Sequence, residues 1–332
     1  MTAYVSRLPV LVISAHNRCN CRCGMCDIWR STESRSFTAA DLERQLLDIG
    51  TLGVEWVVFT GGEALMNPDL FAMARTLRAR GIRVTVLTSG LLLRRYAQAI
   101  AAHVDDMIVS LDGPRAIHDR IRGVIGAFDQ LVCGVRAVRA IAPGYPIAAR
   151  CTVQKANHDA LLDTARAARS LHLTSISFLA VDVSSDAFNH APGALGSRSR
   201  SLLLTSGEID VLDSEIRRLL ADPVRAMVAE SPEKLARLVR YFRSLNGGAE
   251  PQAPLCNAPW VSAVLDHDGT VRPCFFHPPI GSVTDRSLAE VLNSEQALAF
   301  RRNLDVPSNP VCRRCVCSLH RRVQPEAMGV PA

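Results

Sequence analysis

Four cysteines, Cys19, Cys21, Cys23 and Cys26, fall within eight residues near the start of this 332-residue chain. Five more, Cys256, Cys274, Cys312, Cys315 and Cys317, lie in its last quarter. Thiolates gathered at short spacing bind metals, and two groups about 230 residues apart predict two metal sites in two structural units. Within the first group, Cys19-x3-Cys23-x2-Cys26 can hold three irons of a [4Fe–4S] cube and leave the fourth iron open. An open position is what a catalytic metal needs. A zinc loop using all four thiols, or reduced structural thiols, are the competing readings. Cys21 sits between the three, and its side chain need not face a cluster. Cys133 and Cys151 stand apart and read as small buried hydrophobes.

The first group must be positioned by what surrounds it. Short β-branched runs at Pro9–Ser14, Val54–Thr60, Arg83–Thr88, Asp106–Ser110, Ile147–Val153 and Ser175–Ala180 alternate with amphipathic stretches. Thr38 to Asp41 forms a capping-box start for a helix over Leu42–Ile49. Asn67-Pro68 reads as an N-cap with Pro at the first helical position, and Gly81 closes that helix. Later helices are predicted at Leu91–Ala102, Ala127–Ile141 and Asp159–Leu171. Six strand–helix units imply parallel strands and an α/β fold, a partial (β/α)6 TIM-like barrel. Six are too few to close an eight-stranded barrel.

Beyond Ala180 the pattern changes. Residues 182–205 are polar and Ser/Gly/Arg-rich and predict a surface loop or lid. Helices are predicted at Gly207–Ala221 and Pro232–Leu245, then a linker over Asn246–Pro254. Asp268-Gly269 between Val261–Asp266 and Thr270–Cys274 signals a β-hairpin, followed by short helices at Leu288–Asn293 and Glu295–Asn303. The domain reading is therefore 1–205 for the core with its loop and 206–252 for connecting helices and linker. A small cluster-binding extension follows at 253–320, and a flexible tail at 321–332.

Composition narrows the function. With 48% hydrophobic and 21% charged residues the chain is an ordinary globular one, not a disordered or collagen-like one. A net charge of +6 is too small to announce a nucleic-acid partner, and no apolar run is long enough for a membrane span or a secretion signal. A cytoplasmic chain keeps its thiols reduced, which again favours metal over disulfides.

The stretch Asn17-Arg-Cys-Asn-Cys-Arg-Cys-Gly-Met-Cys26 resembles the signature loop of the radical S-adenosylmethionine (radical SAM) enzymes. Thr60-Gly61-Gly62-Glu63, ending the second strand, resembles that family's next motif. The resemblance assigns Cys19, Cys23 and Cys26 to a [4Fe–4S] cluster with an open iron. It assigns Met25, Gly61, Gly62 and Glu63 to S-adenosylmethionine, the Glu63 carboxylate accepting from the methionine amine. Ser89, in Thr88-Ser89-Gly90, stands where relatives often carry Asn. Ser110 and Asp112, in Ser110-Leu-Asp-Gly113, suit ribose and methionine polar groups. Arg122, in His118-Asp-Arg-Ile-Arg-Gly123, could pair with the methionine carboxylate, with a solvated arginine as the alternative. Thr152 and Val153 would line the adenine.

Cys256-x12-Gly269-x4-Cys274 resembles the start of the SPASM and twitch extensions of the same superfamily, and Cys312-x2-Cys315 completes four ligands. This implies one auxiliary [4Fe–4S] cluster, with Cys317 a spare thiol or an alternative ligand. The implied reaction is reductive cleavage of S-adenosylmethionine to methionine and a 5′-deoxyadenosyl radical, which takes a hydrogen atom from a substrate C–H bond. The electron would come from a flavodoxin- or ferredoxin-type reductant. The auxiliary cluster favours an oxidation or cross-link over isomerisation. Only 18 residues precede Cys19, too few for a leader-binding domain, so the expected substrate is a small polar metabolite. The alternative is a peptide presented by a separate recognition protein. A non-catalytic zinc or nucleic-acid-binding protein is the remaining class.

Overall fold

The computed structural model describes residues 2–185, 187–189 and 201–322. Half of the polar loop over 182–205, including Pro192-Gly193 and Gly196–Arg200, lies outside these, as does the tail beyond 322. Six parallel strands run in chain order: β1 (Val10–His16), β2 (Trp56–Gly61), β3 (Arg83–Thr88), β4 (Asp106–Ser110), β5 (Ile147–Val153) and β6 (Ile176–Ala180). Between them lie α1 (Ala39–Thr51), α2 (Leu70–Arg78), α3 (Leu93–His103), α4 (Arg115–Arg122), α5 (Ala127–Ile141) and α6 (Leu161–Ser170). The architecture is the partial barrel that the alternation predicts. Then come α7 (Ser206–Ala221) and α8 (Pro232–Leu245).

The extension opens with a single helical turn at Ala258–Val261 and then adds a hairpin and further short helices. Strands β7 (Ser262–Leu265), β8 (Thr270–Arg272) and β9 (Gly281–Ser282) precede α9 (Leu288–Leu292), α10 (Glu295–Asn303) and α11 (Pro310–Arg313). Strand β7 pairs in parallel with β1, Val10 opposite Ser262 through Ile13 opposite Leu265. One nine-stranded sheet results, in the order β6-β5-β4-β3-β2-β1-β7-β8-β9. Nothing in local sequence pattern specifies that pairing, because it joins residues some 250 apart.

Alternating side chains sort the strands into two faces. Phe59, Val86, Val109, Cys151 and Phe178 are buried with the helices in the main core. Ser14, Thr60, Ser110, Arg150, Thr152 and Ser177 take the other face, the barrel interior, and are only partly buried. Toward the N-terminal strand ends the interior is plugged by polar contacts. Trp56 Nε1 donates to Thr85 Oγ1 (2.7 Å), Thr85 to Asp106 (2.8 Å), and Arg83 Nε to Asp106 (2.7 Å). The C-terminal ends are left as the working face.

Local signals mostly translate. Thr38 caps α1 in a full capping box with Asp41. Asn67, however, is not the cap of α2, which begins at Leu70. Its Oδ1 accepts from the Asp69 N–H, while its amide donates to the carbonyls of Ala15 and Phe37, pinning β1 to the α1 entrance. Helix α4 was not foreseen: it spans eight residues of which five are charged or His. Its apolar stripe is only Ile117 and Ile121, too thin for a periodic signal. Cys133 is exposed on α5 and so is not a buried hydrophobe, whereas Cys151 is buried. No helix among the described residues is long and apolar enough to cross a membrane.

Candidate functional site

The loop that carries the first cysteines leaves β1 and is clamped from two sides. From β2, Gly62 N–H donates to the His16 carbonyl and Glu63 N–H to that of Arg18, both at 2.8 Å. A Cβ on Gly62 would stand 2.1 Å from the Arg18 carbonyl oxygen, and one on Gly61 2.5 Å from that of His16. The two glycines therefore serve contact with the cysteine loop itself, not only approach to a ligand as their motif suggests. Gly61 also has φ of +119°, which excludes most other residues. From α4, the Arg122 carbonyl accepts from Arg22 N–H at 2.8 Å, and a Cβ on Gly123 would meet the Arg22 oxygen at 2.6 Å. Trp29 Nε1 donates to the Cys23 carbonyl (3.2 Å), and Gln154 Nε2 approaches Met25 Sδ (3.6 Å).

This clamping gathers the thiols. Cys21 lies between Cys19 and Cys23, its thiol hydrogen-bonded to both, which lowers the pKa of each; that of Cys23 falls to about 7, with the Arg122 guanidinium contributing. The same bonds push the Cys21 thiol far up. Burial pushes Cys26 to about 12. The Cys21 thiol lies between those of Cys19 and Cys23, and Cys26 is an electrostatic neighbour of the same two. Among the described residues no three His, Cys, Asp or Glu side chains close on a single metal ion. The donor set fits a thiolate-bound cluster: three thiols at one loop, two of them already biased toward thiolate, beside a buried cation.

Glu63 is fully buried, and protein donors engage both its oxygens. Leu65 N–H and Thr88 Oγ1 reach Oε1 at 3.1 and 2.8 Å; Ser89 N–H and Oγ reach Oε2 at 2.7 and 2.6 Å. Ser89 Oγ also lies 3.0 Å from Asn20 Oδ1, tying the end of β3 to the cysteine loop. Glu63 thus first organises the strand ends, where sequence reading gave it only a ligand amine.

Asp112 and Arg122 form the second anchor. Arg122 Nε and Nη2 lie 2.6 and 2.5 Å from Asp112 Oδ2, and its Nη1 approaches Cys23 Sγ at 3.8 Å. The Arg122 fork, predicted on a ligand carboxylate, is here spent on Asp112 and the thiol, and it is buried rather than solvated. Thr152 N–H donates to Asp112 Oδ1 (3.0 Å). Thr152 and Ser110 lie on the interior face, while the Val153 side chain is buried, leaving its backbone for contact. Two positioning residues escaped sequence reading. His118 Nδ1 accepts from Asp112 N–H (3.2 Å), and burial lowers its pKa to about 4. Asn157, fully buried, donates to the carbonyls of Asp112 and Thr152 and accepts from Gln154 N–H, locking β4 to β5. His118 stood in the quoted 118–123 stretch without a role of its own, and Asn157 offered only an isolated polar residue shortly after a strand.

The second thiol group forms across the extension. Asn257, next to Cys256, exchanges hydrogen bonds with Leu319 and Arg321, which brings Cys256 to the last cysteines. Asn309 caps α11 through Val311 and Cys312 N–H. Burial raises the pKa of Cys274 to about 11 and of Cys312 to about 12, and also raises Cys315 and Cys317. Cys315 Sγ donates to the Cys317 carbonyl (2.9 Å), and His277 Nε2 lies 3.3 Å from Cys312 Sγ. Cys256, Cys274, Cys312, Cys315 and Cys317 are electrostatic neighbours, so Cys317 is part of the group. His277, buried, was not foreseen as a neighbour of these thiols.

Comparison with known proteins agrees with both groups. The model of the radical SAM superfamily matches residues 13–174, and that of the SPASM iron–sulfur cluster-binding domain matches 256–316. Pre-heme d1 synthase of Dinoroseobacter shibae is 31% identical over 157 residues, 46% of this chain and 38% of that protein. Fe-coproporphyrin III synthase of Methanosarcina barkeri is 26% identical over 347 residues, 96% of this chain and 84% of that protein. The match thus spans under half the length of the first relative and most of the second. Streptococcus suis SuiB bound to S-adenosylmethionine superposes with a TM-score of 0.68 at 15% identity, over 95% of this chain and 74% of that one. That last likeness is one of fold.

Proposed function

From the premise that this chain is a radical SAM enzyme with a C-terminal SPASM iron–sulfur domain, we propose that it oxidises or cross-links a small polar metabolite by hydrogen-atom abstraction. The family brings a [4Fe–4S] cluster, S-adenosylmethionine and auxiliary iron–sulfur. When bound, the first cluster supplies the electron that cleaves S-adenosylmethionine to methionine and a hydrogen-abstracting 5′-deoxyadenosyl radical. Cys19, Cys23 and Cys26 would hold that cluster, and Cys256, Cys274, Cys312 and Cys315 the auxiliary one, with Cys317 within reach. One observation carries the assignment: the thiol loop is gripped between Gly62–Glu63 and the buried Arg122–Asp112 pair, at the C-terminal ends of parallel strands.

The protein's own residues do four things. Gly61, Gly62 and Gly123 fix the loop by close backbone contact. Arg122 sets positive charge beside Cys23, favouring thiolate. Glu63, Ser89 and Asp112 hold the strand ends against which Met25, Ser110, Thr152 and the Val153 backbone would seat S-adenosylmethionine. With substrate seated, the barrel walls would exclude water, so that a reactive radical meets substrate first. A flavodoxin- or ferredoxin-type protein would supply the electron.

The names of the two sequence relatives support a metabolite, and tetrapyrroles are the first class to try. Anaerobically reconstituted protein should hold about eight irons. The Cys19/Cys23/Cys26→Ala variant should hold about four and make no 5′-deoxyadenosine under dithionite. Cleavage that survives the triple substitution sinks the proposal. Iron coproporphyrin III should raise 5′-deoxyadenosine formation above the substrate-free rate; no change would remove tetrapyrroles as the substrate class.

A further inference from the structure

Two guanidinium groups stand beside the second thiol group without a carboxylate partner among the described residues. Arg237, on α8, donates from Nη2 to the Cys315 carbonyl at 3.0 Å, while its Nη1 is buried without a partner. Arg150 lies on the interior face of β5, opposite Ser110 on β4 and Ser177 on β6. Its Nε is likewise buried without a partner. Of the acids nearby, Asp112 pairs with Arg122, Glu230 accepts from Ser177 Oγ and Phe178 N–H, and Asp182 accepts from Ser184; among the described residues none forms an ion pair with either guanidinium. The Cys317 thiol is within electrostatic reach of both guanidiniums, and Arg237 also of Cys315 and Cys256.

A guanidinium nitrogen buried without a partner is costly, so a fold that keeps two of them within reach of one thiol group has an anion to meet there. Four thiolates around a [4Fe–4S] core of charge 2+ leave a net charge of about −2. We propose that Arg150 and Arg237 are the counter-charges of the auxiliary cluster and raise its reduction potential, making it the acceptor of one electron from the substrate radical. Arg150 is the positioning residue of the pair on the substrate side. It stands two residues before Thr152 on the same face of β5, within electrostatic reach of Cys317. The substrate radical is oxidised by one electron, and the cluster core is reduced from 2+ to 1+. This rests on the reading of the C-terminal thiols as cluster ligands.

The test uses the Cys19/Cys23/Cys26→Ala protein, in which the auxiliary cluster titrates alone, with R237Q, R237K and R150Q added singly. Potentiometric titration followed by EPR of the reduced cluster reads the potential directly. Each Gln variant should lower the equilibrium constant for reduction about tenfold, 59 mV for one electron. R237K, which keeps the charge, should stay within about threefold of its parent. Should R237Q lose iron, R150Q decides alone. Four irons with an unmoved potential in the Gln variants overturns the counter-charge role. No iron in the triple variant overturns the cluster reading as well, so the two failures are distinguishable.

Discussion

At the residue scale, the site is built from a few side chains whose alternatives are physically excluded. The Gly62 Cβ position falls 2.1 Å from a backbone oxygen, which cannot move without moving the cysteine loop. Gly62→Ala should therefore strip the first cluster, halving bound iron and cutting 5′-deoxyadenosine formation at least about tenfold, with little change in circular dichroism. The Arg122–Asp112 pair is almost fully enclosed, side chains 10% and 0% exposed. Arg122→Gln leaves Asp112 as a buried unpaired carboxylate and should cost about 3–5 kcal/mol in urea unfolding. Arg217→Gln, at the exposed Arg217–Asp213 pair, should cost less than about 1 kcal/mol. His118 adds a pH signature. Burial, with Arg122 contributing, holds its pKa at about 4 rather than 6.5. A base depressed in this way binds fewer protons folded than unfolded between those values. Its contribution is complete above pH 6.5 and is lost as pH falls toward 4. About 3 kcal/mol rides on the shift. The parent should lose stability between pH 7 and 5, and His118→Asn should flatten that slope; an unchanged slope would place the titration elsewhere.

At the element scale, capping and register do the positioning. Thr38 and Asp41 satisfy the first turn of α1 reciprocally. Thr38→Ala should cost about 1 kcal/mol in thermal or urea unfolding, without changing iron content, because the bonds it removes lie within the first turn of α1. Helix α4 matters more to the site than its weak pattern suggests. Its first turn supplies His118 to the backbone of Asp112, and its last residue presents Arg122 to Cys23 and Asp112. Sequence resemblance gave Arg122 to a ligand carboxylate, yet it could not say that the guanidinium faces inward to Asp112. That depends on α4 ending at Gly123, whose φ of +64° turns the chain against Arg22. Strand boundaries, by contrast, were legible to within two residues, since β-branched runs bounded by Gly, Pro and Asp leave little freedom.

At the scale of the whole molecule, the extension is a continuation of the barrel sheet rather than an appended unit. Strand β7 hydrogen-bonds to β1, and Gln45 and Asp48 of α1 accept from the backbone of α9. A chain truncated after residue 252 would expose a β1 edge of apolar residues, a template for intermolecular pairing. Such a truncation should aggregate on size exclusion, whereas a monodisperse 1–252 fragment would show the core to be self-sufficient. The sequence alone determined the cysteine spacing, the strand–helix alternation and the motif-bearing strand ends, because these are local and periodic. Only the tertiary structure decided which polar groups are already engaged with one another, where Cys21 and Cys317 lie, and that Arg150 and Arg237 both come within reach of Cys317. Those outcomes depend on contacts between residues that are far apart in the chain, and local periodicity carries no record of such contacts.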